Sequence, residues 1–218
     1  SGVIVPRQSF FFKSIEIGSL GLSDGEVDFE LLPDSSLQFE LKKGIFLGGQ
    51  LSSSPVRFFP KTGDFNGTFH LSRIKLSELV KLFPRIQGRF KGKLSGSLQA
   101  KRLSGKIENF TGYLELDPDS PASVQTSLEG LLTAGAPPES RRYRQLKMAE
   151  KAFENLEINV LRLDFYSEPD TDRAATLTLS GQAVSEELIV PVDMTINING
   201  LLTELINLVA RNDIEFSL

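Results

Sequence analysis

Leu188-Ile189-Val190-Pro191-Val192-Asp193-Met194-Thr195-Ile196-Asn197-Ile198 decides the fold. Leu188, Val190, Val192, Met194, Ile196 and Ile198 recur in strict alternation. A strand sends successive side chains to opposite faces, so this pattern describes one dry face and one wet face. Pro191 falls on the opposite register and has no N–H, which predicts an open side or a bulge beside this strand.

The same alternation recurs toward the N-terminus. Val27, Phe29 and Leu31 alternate with Glu26, Asp28 and Glu30; Leu37, Phe39 and Leu41 alternate with Gln38, Glu40 and Lys42. Phe65, Gly67, Phe69 and Leu71 share a face opposite Asn66, Thr68, His70 and Ser72. Turn-forming clusters such as Pro33-Asp34-Ser35 and Lys61-Thr62-Gly63-Asp64 separate these runs, so the first part reads as antiparallel strands. From Gly88 to Lys101, Gly88, Phe90, Gly92, Leu94, Gly96, Leu98 and Ala100 alternate with polar residues. Glycines on one face of a strand mark a bend of the sheet or notches between Phe90, Leu94 and Leu98 for a ligand; both readings stand at this point.

Further strands are expected at Ile107–Leu116, Val124–Leu132, Leu156–Phe165 and Thr176–Val184. In Leu156–Phe165 the phase switches: Ile158 and Val160 share one face, then Leu161, Leu163 and Phe165 the other. A bulge would restore a continuous apolar face. Three helices are expected: Ser77–Phe83, with Ser77 as N-cap and Pro84 as stop; Pro138–Asn155, with a stripe of Leu146, Ala149, Phe153 and Leu156; and a Leu-rich one after Asn199-Gly200, capping one end of the sheet. Arg141, Arg142 and Arg144 stand in the first half of the second, where the helix dipole disfavours cations. The predicted fold is mainly β, a large curved or twisted antiparallel sheet of groove or half-barrel type with about three short-to-medium helices. It occupies residues 1–218 as one domain, with a sub-division at 84–88 as the variant.

Composition narrows the function. The 218 residues are 40% hydrophobic and 24% charged, as in ordinary globular proteins. A net charge of -4 leaves no basic footprint for nucleic acid. The absence of Cys excludes disulfides, thiolate metal sites and thiol nucleophiles, and fits an oxidising compartment such as a periplasm as well as many cytosolic domains. No run approaches the ~18 apolar residues of a membrane span, and no signal peptide is visible. Ser1-Gly2 directly precedes a strand-like segment and reads as the scar of an excised fragment, so an anchor or signal is expected elsewhere in the native protein.

Catalytic patterns are missing. His70 is the one histidine and falls on a wet strand face, the position of a solvated side chain rather than a metal ligand. No nucleophile elbow, Walker loop or dinucleotide glycine cluster occurs. Asp117, Asp119, Glu186 and Glu187 fall in turns and on polar faces, the ordinary solvated pattern. The reading is of a non-enzyme without cofactor.

The order of features resembles the C-terminal region of YdbH-like proteins, a branch of the AsmA-like superfamily of bacterial envelope proteins; that region also carries the label "dicarboxylate transport" domain. The resemblance rests on Ile74-Lys75-Leu76-Ser77-Glu78-Leu79, the Gly88–Leu98 strand, Leu128-Glu129-Gly130-Leu131-Leu132, Ala152-Phe153-Glu154-Asn155-Leu156, and the closing Pro191-Val192-Asp193-Met194-Thr195-Ile196-Asn197-Ile198-Asn199-Gly200-Leu201-Leu202. These span residues 74 to 209, whereas residues 1–73 agree in being strand-rich. The resemblance implies a periplasmic protein held at the inner membrane through a segment absent here, a β-groove carrying phospholipid toward the outer membrane, and a small outer-membrane lipoprotein as partner. The fragment itself is expected to be soluble. On that reading Phe29, Phe39, Phe69, Phe90, Leu94, Leu98, Val192, Met194 and Ile196 line one apolar surface that binds acyl chains. Alternation alone fits a closed core equally well, in a structural domain that binds a partner strand at its sheet edge without any ligand. The candidate edges are Val3–Ile17 and Asp213–Leu218.

Overall fold

The computed structural model describes all residues except 1–4, 18–19, 83–86, 127–129, 131–132, 167–172, 185–188, 200–213 and 218. Its strands are β1 (Val5–Ile17), β2 (Leu20–Leu31), β3 (Leu37–Phe46), β4 (Gly49–Ser53), β5 (Val56–Phe59), β6 (Asp64–Lys75), β7 (Gly88–Lys91), β8 (Lys93–Leu103), β9 (Lys106–Leu116), β10 (Ala122–Thr126), β11 (Leu156–Phe165), β12 (Arg173–Val184), β13 (Ile189–Asn199) and β14 (Ile214–Ser217). The helices are α1 (Leu76–Val80) and α2 (Arg141–Ala152), the latter ending in a 3-10 turn at Phe153–Asn155.

The fourteen strands of the described residues belong to one antiparallel sheet, with the path β13-β12-β11-β9-β8-β6-β4-β3-β2-β1-β14 and β5, β7 and β10 off it. It is a meander in which almost every strand pairs with its sequence neighbour. Three of its long strands are interrupted. Ser54-Pro55 separates β4 from β5, and both halves pair with β3 and β6. Gly92 separates β7 from β8, and residues 117–121 separate β9 from β10, so β8 pairs with β9 while β7 pairs with β10. The sheet runs past residues 84–88 without a break, because β6 pairs with β8. It does not close into a barrel: β13 and β14 stand at opposite ends of the order.

Local chemistry explains the turns. Leu47-Gly48 and Ser104-Gly105 all have positive φ and join directly paired strand ends, the requirement of tight two-residue hairpins matched to strand twist. In the β2–β3 turn Ser35 takes φ 63, and the Asp34 carboxylate accepts from the Ser36 N–H at 3.1 Å and is bridged by Arg57.

The glycine-rich strand resolves in favour of bending. Gly92 has φ +126 at the break between β7 and β8, and a Cβ on Gly96 would lie 2.0 Å from the Tyr113 carbonyl oxygen. Close approach of the neighbouring backbone, not a side-chain notch, requires glycine there.

Two helix expectations need correction. α1 begins at Leu76 with Lys75 as an uncapped N-cap, so Ser77 lies inside it. Leu76 is 6% exposed and its N–H donates to the Gly92 carbonyl at 3.0 Å, and this burial starts the helix directly off β6. The longer helix starts at Arg141, not Pro138, because the Ser140 hydroxyl caps the Tyr143 N–H at 3.0 Å. The described residues thus hold two α-helices where about three were expected; the third expected helix, after Gly200, and the stop at Pro84 lie outside them. Of the expected Val124–Leu132 strand, Ala122–Thr126 is observed and most of the remainder lies outside the described residues.

Candidate functional site

Residues directly opposite one another in an antiparallel ladder point to the same face, so the registers trace one face across the sheet. Phe29 opposes Phe39, and Phe39 opposes Val56. Phe58 opposes Phe65 on β6, whose Phe69 opposes Leu98 and whose Ile74 opposes Leu94. Leu94 opposes Leu116 and Leu98 opposes Gly112, which in turn opposes Phe165. Leu177, Leu179 and Gly181 on β12 oppose Ile196, Met194 and Val192 on β13. Phe90 joins through Val124 and Leu156. All nine candidate residues therefore share one face.

Keeping that face continuous takes bulges. The β11 ladder shifts between Ile158 and Val160. Ile158 and Leu161 are 5% and 6% exposed while Val160 is 49% exposed, so the extra residue restores the apolar phase as the sequence predicts. A second shift, between Leu71 and Ile74 with Arg73 at φ 57, does the same on β6 and was not foreseen.

The nine residues differ in accessibility. Leu94 is 0% exposed and belongs to a core cluster with Ile74, Leu114, Leu156, Leu161 and Phe165. Phe90, Leu98, Val192 and Met194 pack against that cluster and keep part of their surface, whereas Phe29, Phe39, Phe69 and Ile196 lie outside it, half-buried. Sequence reasoning missed Phe58, Phe110, Phe165 and Leu177 as contributors, although the period-2 phase of their strands carries the signal. The Phe110 and Phe165 rings meet edge to face, 5.4 Å between centroids.

The other face is ionic. Arg7 bridges Asp28 and Glu40 at 3.0 and 2.6 Å, and Lys42 adds a contact of 2.7 Å to Glu40. Hydrogen bonds from Ser9 and then Arg7 hold the Asp28 carboxyl below its ordinary pKa, and Lys42 followed by Arg7 does so for Glu40. Arg162 pairs with Asp164 and Glu115 and lies 4.5 Å over the Tyr113 ring. Such exposed pairs each contribute little but fix register and keep this face in water. His70 sits here, exposed, with its Nε2 3.2 Å from the Ser54 hydroxyl. Among the described residues no cluster of His, Asp or Glu could hold a metal, and no helix is long and apolar enough to cross a membrane.

The two candidate edge strands meet each other. β14 pairs with β1 from Ser14↔Ser217 to Ile17↔Ile214. Among the described residues, the outer edge of β1 from Val5 to Lys13 and that of β13 carry no partner strand. For β13 this is the open side that Pro191 predicted.

Comparison with curated proteins and with solved structures found no match. The family model YdbH-like, described as intermembrane phospholipid transport protein YdbH, matches residues 3–109, just under half of the 218. The match covers the strands that sequence reading had regarded as agreeing only in strand content, and overlaps the motifs quoted for the resemblance in residues 74–109 alone. Over β1 to β8, the chain is thus similar to the YdbH-like family.

Proposed function

We propose that the chain is one length of a phospholipid conduit, with acyl chains lying along the apolar sheet face and the ionic face toward periplasmic water. The family model that residues 3–109 match is described as an intermembrane phospholipid transport protein, which supports this reading. The observation that carries the reading is the single apolar face, traced by the registers from β2 to β13 and left half-exposed at Phe29, Phe39, Phe69, Phe90, Leu98, Val192, Met194 and Ile196. Leu94 forms the floor beneath them. A chain of roughly 15 methylenes costs about 12 kcal/mol to expose to water, at ~0.8 kcal/mol each, so a carrier must cover most of that length without a gap. In this reading the protein works in the periplasm, attached to the inner membrane through a segment outside these residues.

Photocrosslinkers placed at Phe90 and Met194 in cells test it. Capture of phospholipid at either supports the conduit; failure at both, in folded protein, sinks it in favour of a closed core. Native mass spectrometry of the purified protein gives the independent readout of bound phospholipid.

A second reading concerns the edges. The uncovered lengths of β1 and β13 suit strand addition by a small outer-membrane lipoprotein, in which backbone hydrogen bonds supply affinity and alternate side chains supply specificity. Addition of such a lipoprotein should slow hydrogen exchange in β1 or β13. Unchanged exchange in both removes the idea.

A further inference from the structure

The chain is acidic overall, yet α2 concentrates Arg141, Arg142, Arg144, Lys147 and Lys151 within twelve residues, all exposed. Positions three, seven and ten residues apart share a helix face, so Arg141, Arg144, Met148 and Lys151 form one outward stripe with Lys147 beside it. Met148, at the middle of that stripe, is 73% exposed. The opposite side faces inward: Tyr143 and Leu146 are half-buried, and Glu150, the one acid within the helix, is 6% exposed and accepts from the Thr133 N–H and hydroxyl at 2.9 and 3.0 Å. Glu139 and Glu154 lie beyond the two ends. None of the five cations enters an ion pair among the described residues. Among the described residues, the main packing contact of α2 is the 3-10 turn that follows it, and the stripe itself is exposed.

We infer that the α2 stripe docks on an anionic phospholipid surface. The arrangement commits to a bilayer by its chemistry. Cations that enter no ion pair among the described residues complement phosphate headgroups. An exposed methionine among them enters the interfacial apolar layer while the long basic side chains reach back to the headgroups. Placing arginines in the first half of the helix opposes its dipole, a local cost that an anionic surface offsets. This inference is independent of the sheet face: it concerns where the chain rests, not what it carries.

Vesicle flotation of the full chain tests it, using phosphatidylcholine vesicles with and without one-third phosphatidylglycerol. The chain should float with the anionic vesicles and be released by raised salt. Each cation near such a surface contributes about 1 kcal/mol, or roughly fivefold in affinity. Arg141→Gln, Arg144→Gln and Lys151→Gln together should therefore weaken binding about a hundredfold, while Arg141→Lys with Arg144→Lys should retain it. Absence of flotation with anionic vesicles overturns the inference, and is the outcome expected if an acidic protein were the true partner. So does equal flotation with phosphatidylcholine alone, which would assign membrane contact to the apolar sheet face. Unaltered binding by the folded triple variant overturns it too, and if that variant fails to fold, the salt and vesicle arms decide alone.

Discussion

Leu94 and Leu98 stand four residues apart on one face of β8, and the two should respond oppositely to a charge. Leu94 is 0% exposed, walled by Ile74, Leu114 and the rest of the core cluster. Leu98 keeps part of its surface, between Phe69 and Gly112. Truncation of a fully buried leucine costs about 2–5 kcal/mol. At roughly 2–4 °C per kcal/mol for a chain of this size, Leu94→Ala should lower the melting temperature by about 4–20 °C. Leu94→Asp should abolish folding, since an unpaired carboxylate in that cluster has neither water nor a partner. At Leu98 a carboxylate can turn to solvent, and the loss is a fraction of the ~1.5–3 kcal/mol for burying a leucine completely. Leu98→Asp should therefore stay folded, with a urea midpoint modestly below that of the parent, and lose the phospholipid that the proposed conduit would carry, as read by native mass spectrometry. Urea titrations followed by circular dichroism, with mass spectra of the same samples, check both halves. If Leu98→Asp unfolds as completely as Leu94→Asp, the face is sealed along its length and the groove reasoning fails.

Other outcomes follow from the same geometry. Asp28, Asp34 and Glu40 have lowered folded-state pKa values, caused first by Ser9, Ser36 and Lys42 respectively. Their contribution is thus complete above the unfolded values of about 4 and is lost as pH falls through the lower folded values. Denaturation midpoints should be flat from neutrality to about pH 5 and drop below about pH 4, and Ser9→Ala should raise the Asp28 carboxyl titration seen by NMR; an unmoved Asp28 contradicts the assignment. A Cβ on Gly25 would lie 1.8 Å from the Phe12 ring, so Gly25→Ala should destabilise by about 1–3 kcal/mol, and a double-mutant cycle with Phe12→Leu should recover part of that; additive losses would show that the ring is not the obstacle. Deleting Asn159 removes the β11 bulge and turns one half of the strand over, so the melting temperature should collapse, whereas a stable deletion would make the bulge dispensable.

What could be read beforehand was what short-range periodicity encodes. The phase switch at Ile158-Val160-Leu161 announced the bulge because two residues of like chemistry cannot both face the core in a regular strand. The wet face of His70 and the open side at Pro191 followed from the same alternation. Less accessible were features that depend on a distant partner. Arg73 takes its left-handed conformation to let Ile74 rejoin Leu71 on the core face opposite β8, and nothing in Ser72-Arg73-Ile74 alone demands it. The breaks that split β7 from β8 and β9 from β10 depend on which strands pair across them. The pairing of β1 with β14 joins residues some two hundred positions apart, beyond the reach of any local pattern.

That long-range pairing constrains the shape of the sheet. The order β13 to β14 contains ten inter-strand steps, so a flat sheet, at about 4.8 Å per step, would hold its two end strands about 48 Å apart. The fourteen residues 200–213 must join them, and a chain of that length reaches only about 50 Å when fully extended, whatever path it takes. A flat sheet is therefore at the limit of connectivity. Burial tells the two faces apart. Val56, Ile74, Leu94 and Leu156 are each 0% exposed, and the registers set all four on the apolar face. The ionic ladders of Arg7 and Arg162 occupy the opposite face, where water can screen them. A dry face and a wet face are thus consequences of one register, and on the dry face half-buried positions flank the fully buried Leu94.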